Sequence, residues 1–323
     1  MNDINILILS AGRRVELVKR FIKAKEKLRI KGNVVAVDIS DTAPAMYFAD
    51  KYYLIPRIDS DEYINSVIDV CKKEEISLII PTIDTELLKL SENRNRIEKE
   101  TSAKILLSRD EVIRVCRDKK NTQRFFEENG FGVPEMISNE DIKNGNYTFP
   151  LFIKPLDGSS SINTFKLTNK EELDFFIKYI KKPMIQKFIT GEEYSVDVFC
   201  DFESKPITIV PRRRIATRGG EIAKGQILRD CEIINDVKRM LDILKPIGHI
   251  TIQLMKTEKG IEYIEINPRF GGGAPMSIDA GADSCENIYH LLMGESLCYN
   301  ENYKDKALFV RFDSSIMINK DKE

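Results

Sequence analysis

The most chemically loaded stretch of this 323-residue chain is Gly260-Ile-Glu-Tyr-Ile-Glu-Ile-Asn-Pro-Arg-Phe-Gly-Gly-Gly273. On an extended strand Glu265, Asn267 and Arg269 stand at i, i+2 and i+4, so they project from one face, while Ile264 and Ile266 turn to the core. A carboxylate and an amide oxygen are hard ligands suited to Mg²⁺. An arginine beside them can hold the phosphate that such an ion bridges. The preceding apolar strand, expected over Ile250–Lys256, carries Gln253. With Glu258-Lys259-Gly260 as a three-residue hairpin loop and Gly260 left-handed, Gln253 falls opposite Glu265 and completes an oxygen cage. The same alternation is also what a half-exposed strand shows.

Four further segments combine types and spacings of interest. Phe152-Ile-Lys154-Pro155-Leu-Asp-Gly158-Ser159-Ser160-Ser161 offers an ammonium, hydroxyls and backbone N–H groups to a phosphate chain, or is a surface hairpin. Asp118-Lys119-Lys120 opens a helix, with Asp118 as its cap. Met184-Ile-Gln186-Lys187-Phe-Ile189-Thr-Gly-Glu-Glu193-Tyr194 is an apolar strand running into a glycine turn and an acidic pair, a hinge against which an adenine ring could lie. Pro211 to Gly225 places Arg212, Arg213, Arg214, Arg218 and Lys224 in a glycine-containing stretch between strands. This is either a solvated turn or an arginine clamp for an anionic substrate, since guanidinium grips carboxylate and phosphate bidentately. Arg213 and Arg218 are the residues chosen for that clamp. Asp38 and the Thr82–Glu86 turn sit at the carboxyl ends of expected strands, where open α/β sheets bind ligands.

Composition removes other classes. Lys plus Arg number 50 against 51 for Asp plus Glu, a net charge of −1 that exerts no global pull on nucleic acid or an acidic membrane. No apolar run approaches the roughly 18 residues of a membrane helix, and the start lacks a secretory signal. Six cysteines without a CxxC suggest neither zinc nor disulfides, so a cytoplasmic protein is expected. No glycine precedes a lysine, which excludes a Walker A loop. The first turn, Ser10 to Arg14, has one glycine where a dinucleotide fingerprint has three. Two histidines, His249 and His290, and no GxSxG elbow argue against a Ser-His-Asp hydrolase.

The elements that must carry these residues follow from periodicity. Short apolar runs at 4–9, 34–37, 52–55, 78–80 and 104–107 alternate with helical patterns at 13–28, 63–71 and 84–98, which predicts a doubly wound parallel sheet. Beyond Ser108 come two helices, strands at 151–154, 164–167 and 184–188 around a helix at 170–179, then strands at 194–201, 207–212, 250–256 and 261–267. Helices are expected at 235–244 and 284–293, a frayed tail after Arg311, and no internal repeat.

In this order and at these separations, the segments resemble the ATP-grasp superfamily over roughly residues 110–295, behind a domain similar to that preceding the fold in biotin carboxylases and carbamoyl-phosphate synthetases. The resemblance implies an N-terminal doubly wound domain (1–108) and an ATP-grasp fold of two α+β subdomains (109–182 and 183–323). It places Lys119 and Lys154 on the ATP phosphates and Gly158 to Ser161 in the loop closing over them. Gln186, Lys187 and Ile189 fall at the adenine edge and Glu193 on the ribose. Gln253, Glu265 and Asn267 match a two-Mg²⁺ site, with Mn²⁺ a tolerated substitute, and Arg269 the arginine on the transferring phosphoryl group. The implied activity is an ATP-dependent carboxylate–amine ligase working through an acyl phosphate. Its partners would be a small-molecule carboxylate and amine, with room for a homodimer and with neither nucleic acid nor membrane involved. The alternatives are phosphorylation of bicarbonate or carbamate, for which a full synthetase needs two such halves, and a nucleotide-binding module without turnover.

Overall fold

The computed structural model describes residues 3–156 and 162–318. Strands β1 (Asn5–Ile8), β2 (Val34–Asp38), β3 (Lys51–Leu54), β4 (Ile76–Ile80) and β5 (Lys104–Ile105) form one sheet in the order β3-β2-β1-β4-β5. Every pairing in it is parallel. The central strands are covered on both faces, which is why they read as unbroken apolar runs. Helix α1 (Val15–Lys27) lies on one face through Leu17, Val18 and Phe21. On the other lie α2 (Tyr63–Lys73), α3 (Asp84–Glu92) and α4 (Arg94–Thr101). The single helix expected over 84–98 is thus two. The chain breaks at Asn93, where φ is −106° and ψ 8°, and the side-chain amide bonds back to the Lys89 carbonyl at 2.9 Å.

Helices α5 (Asp110–Arg117), α6 (Lys119–Glu128) and α7 (Asn139–Asn144) follow, and the Asp118 carboxylate caps α6 by accepting from the N–H groups of Lys120 and Asn121. Strands β6 (Leu151–Pro155), β7 (Phe165–Leu167) and β8 (Pro183–Lys187) make a small antiparallel sheet in the order β7-β6-β8. With α8 (Lys170–Tyr179) it encloses its own core around Leu151, Ile153, Leu173 and Ile185.

A six-stranded antiparallel sheet completes the molecule. It consists of β9 (Glu192–Cys200), β10 (Pro206–Arg218), β11 (Glu221–Ile227), β12 (Gly248–Thr257), β13 (Gly260–Asn267) and β14 (Leu308–Val310), ordered β13-β12-β9-β10-β11-β14. Helix α9 (Cys231–Leu244) covers one face. Helices α10 (Ala274–Asp279) and α11 (Ser284–Leu292) return to the first sheet, where Phe270 and Tyr289 meet Phe21 edge-on at 5.9 and 6.2 Å between centroids.

Two differences from expectation bear on the site. The basic stretch after Arg212 is a hairpin rather than a loop: β10 continues to Arg218 and turns at Gly219-Gly220, with φ of +57° and +76°. The β12–β13 loop has two residues rather than three, because Thr257 pairs with Gly260. That turn alone would set Gln253 opposite Ile264. A bulge absorbs Ile264 between the pairs Leu254–Tyr263 and Gln253–Glu265, so the expected cross-strand pair forms by another route. Ile264 accordingly lines the cleft instead of the core.

Candidate active site

The small sheet, the large sheet and the carboxyl-end loops of the first sheet enclose a cleft of about 730 Å³. Past the bulge, alternation on β13 turns Glu265 and Asn267 into it. Asn267 Nδ2 donates to Glu265 Oε1 at 2.9 Å, and Arg269 Nη2 donates to Asn267 Oδ1 at 3.2 Å. Arg269 is braced from the first domain by Asp84 Oδ2, 2.6 Å from Nη2 and 3.1 Å from Nε. Gln253 reaches the same space from β12. One carboxylate and two amide oxygens suit Mg²⁺, which keeps several waters and takes its other ligands from substrate phosphates. The donor set therefore fits the ion the resemblance implies.

Lys154, at the end of β6, is 6% exposed. Burial pulls its ammonium down to about 8, Glu265 opposes that shift and Lys119 adds to it. Lys119, the first residue of α6, donates to the Leu156 carbonyl at 3.1 Å. On β8 the Gln186 amide is buried and donates to Gln123 Oε1 at 2.8 Å, so its side chain belongs to an internal network. The backbone N–H groups of Lys187 and Phe188 go to the carbonyls of Glu135 and Pro150. Ile189 and the Lys187 side chain line the cleft beyond them. Glu193 lies at the mouth, its Oε1 2.9 Å from Arg214 Nε. Gly158, Ser159, Ser160 and Ser161 lie outside the described residues.

The clamp assigned to Arg213 and Arg218 needs correction. Successive residues of a strand face opposite sides. Arg212 and Arg214 therefore line the cleft, while Arg213 turns away to Glu192 at 2.7 Å and to Gln226 at 3.0 Å. Arg218, at the hairpin tip, is 71% exposed and pairs with Asp313. Arg212 is the opposite case, 1% exposed, with Nη1 on Asp197 Oδ2 and the Gly273 carbonyl. Asp197 also accepts from Ser277 and Thr251; burial pushes its pKa up, but Arg212 and these hydrogen bonds bring it below the usual carboxylate range.

Sequence reasoning missed the far end of the cleft. Arg14, after the β1 turn, sits 3.9 Å from Glu221 Oε1, and Glu221 Oε2 also accepts from Arg311 Nη1 at 3.0 Å. Burial lowers the Arg14 pKa, and the nearby Arg269 lowers it further. A Cβ on Gly272 would come within 2.9 Å of Arg14 Nη1, and one on Gly273 within 2.4 Å of Arg212 Nη2, so the triple glycine lets backbone cross over two guanidiniums. The signal available for Arg14 was its place at the carboxyl end of a central strand. For Arg212 it was strand parity. His249 is buried and stacked on Phe270 at 4.3 Å, with burial holding its pKa near 4, and so packs rather than reacts.

Two lysines thus face a carboxylate–amide–arginine strand across the cleft, and the chain matches the ATP-grasp domain model over residues 116–273. Residues 6–105 match the PylC-like N-terminal domain model, so the chain carries an ATP-grasp domain behind a PylC-like N-terminal domain. It is similar to D-alanine–D-alanine ligase B of Clostridium perfringens, 24% identical over 209 residues, covering 57% of this chain and 68% of that one. Matches to curated relatives span 33% to 69% of their lengths. N5-carboxyaminoimidazole synthetase from Staphylococcus aureus superposes with a TM-score of 0.70 at 18% identity, covering 92% of this chain and 81% of that one. Biotin carboxylase from Campylobacter jejuni superposes at 0.73 and 17%, covering 95% and 74%. Among the described residues, no helix is long and apolar enough to cross a membrane.

Proposed function

We propose that the protein joins a small-molecule carboxylate to an amine at the expense of ATP, through an acyl phosphate. The observation that carries this reading is the line Gln253–Glu265–Asn267–Arg269 facing the buried Lys154 across one cleft. Lys119 and Lys154 neutralise the phosphate chain, the backbone near Ile189 meets the adenine edge, and Glu193 holds the ribose. Glu265, Asn267 and Gln253 would hold Mg²⁺, which would supply further positive charge to the phosphate chain; we assign two ions, with Mn²⁺ tolerated. A substrate carboxylate oxygen attacks the γ-phosphorus and ADP leaves, while Arg269 neutralises the charge on the moving group. The amine then adds to the acyl carbon, phosphate departs and the nitrogen loses a proton.

Arg14 and the backbone N–H groups of 271–273 are our choice for the acceptor carboxylate, with Arg212 beneath them. The division at 108/109 and 182/183, a cytoplasmic location and a homodimer complete the reading; six free thiols support the second of these. The test is a screen of carboxylates, amino acids and amines for phosphate release from Mg²⁺-ATP. One acid–amine pair should raise release well above the basal rate. Nucleotide binding without stimulation by any pair would favour a module without turnover.

A further inference from the structure

Glu86 is fully buried and lies outside the residues just assigned. Its two oxygens have separate partners. Oε1 accepts the backbone N–H groups of Thr82 at 2.8 Å and Ile83 at 3.2 Å. Oε2 accepts Ser10 Oγ at 2.8 Å and Tyr63 OH at 3.0 Å. The carboxylate therefore ties together the loop after β4, the loop after β1 and helix α2. Thr82 reinforces the tie, its hydroxyl donating to the carbonyls of Leu9 and Ser10 at 2.9 and 2.8 Å. Both loops carry cleft residues: Asp84 begins α3 one position beyond Ile83, and Arg14 follows the turn that Ser10 opens with φ of +48°. Arg14 Nη2 also reaches the Thr82 carbonyl at 3.5 Å.

We infer that Glu86 is a positioning residue that sets the Arg269 guanidinium through the Thr82–Asp84 loop, coupling the first domain to the phosphoryl-transfer end of the cleft. The inference rests on the ligase reading for its kinetic consequence, but its geometric content stands alone. The path is continuous: Glu86 holds the Thr82 and Ile83 amides, the next residue is Asp84, Asp84 holds Arg269, and Arg269 holds Asn267 beside Glu265. Burial raises the Glu86 pKa against the pull of its four donors, a cost that a solvated glutamate would avoid and that a plain helix cap does not require. An exposed cap would hold α3; only a buried one with donors from three elements also fixes Asp84 against the β1 loop.

The test uses the full chain with Glu86→Gln, Glu86→Asp and Glu86→Ala. Glutamine keeps an oxygen for the Thr82 and Ile83 amides and can donate its amide to re-oriented Ser10 and Tyr63 hydroxyls. Aspartate keeps the charge but falls a methylene short. The first readout is the ¹⁵Nε–H resonance of Arg269, assigned through Arg269→Lys. It should stay in place in Glu86→Gln and shift or exchange faster in Glu86→Asp and Glu86→Ala. The second is phosphate release from Mg²⁺-ATP: kcat should fall about 10-fold or more in Glu86→Asp with KM for ATP within about two-fold, and Glu86→Gln should recover most of the loss. Adding Asp84→Asn to Glu86→Asp should cost little beyond Asp84→Asn alone, since both act through one contact. An unmoved Arg269 resonance in Glu86→Asp, or fully multiplicative kinetic losses, overturns the proposal, and a fall in Tm without either change assigns Glu86 to stability only. If the parent neither binds nor hydrolyses Mg²⁺-ATP, the ligase reading fails and the resonance still decides the positioning role.

Discussion

The two ends of the cleft hold charge in different ways. At the end proposed for the nucleotide, Lys154 sits in a buried position that suppresses its ammonium, and Glu265 is the carboxylate that opposes this. At the end proposed for the acceptor, the cations are already matched: Arg269 to Asp84, Arg14 and Arg311 to Glu221. At the first end an arriving polyanion steadies an ammonium that burial has weakened; the second must exchange an internal carboxylate for an external one. Affinity for nucleotide should thus follow burial and pH, and selectivity for the acceptor should follow competition among ion pairs. The more exposed Arg311–Glu221 pair exchanges at modest cost, the more buried Arg269–Asp84 pair at a larger one.

Four expected outcomes test that contrast. The largest effect belongs to Glu265→Gln, which should lower Mg²⁺-dependent ATP turnover by about 100-fold or more with an unchanged melting temperature, since a neutral amide cannot replace the one carboxylate of the ion site. Turnover close to the parent's would remove Glu265 from the chemistry. Next, Arg14→Ala should cost about 10- to 100-fold in acceptor-stimulated turnover, on a charge-assisted contact of about 1.5–3 kcal/mol. Calorimetry should find its nucleotide affinity within about two-fold of the parent, and Arg14→Lys should recover only part of the loss. A large drop in nucleotide affinity would merge the two ends.

The third outcome depends on pH. Without nucleotide Lys154 titrates near 8, and a phosphate beside it raises that value, so binding takes up a proton at higher pH. Affinity should be level below pH 8 and decline above it by up to about tenfold per unit. Lys154→Met should bind weakly with no such decline, as titration calorimetry in buffers of different ionisation enthalpy would show. The smallest effect is expected from Arg213→Ala and Arg218→Ala. Both arginines point away from the cleft, and each should stay within about two-fold of the parent in stimulated turnover.

The same contrast explains what could be read from the chain. Each nucleotide-end residue lies in a segment whose own pattern marks it: Lys154 closes an apolar strand, Asp118-Lys119 opens a helix, and Glu265-Ile-Asn267 alternates. The acceptor end is assembled from positions 14, 84, 221 and 269, and no local window contains two of them. The choice of Arg213 over Arg212 failed because parity on β10 depends on its pairing with β9, where Arg212 stands opposite Ser195 and Arg213 opposite Tyr194. β14 has three residues, two of them more than half exposed, too little to leave a periodic trace. The Gln253–Glu265 pair was reached with the wrong loop length because a bulge is silent in sequence unless a glycine or a polar break flags it.

The contact of Phe21 with Phe270 and Tyr289 makes the first sheet and the six-stranded sheet one anvil, since parting them would open a shared apolar core. The three-stranded sheet with α8 has a separate core, a hammer joined to that anvil by the chain at residues 130–136 and 188–192. Lys154 rides on the hammer; Glu265, Arg269 and Arg14 are set in the anvil. Were the hammer to lift from the anvil, cation and carboxylate would part, while the ion pairs of Arg14 and Arg269, set wholly in the anvil, would stay intact.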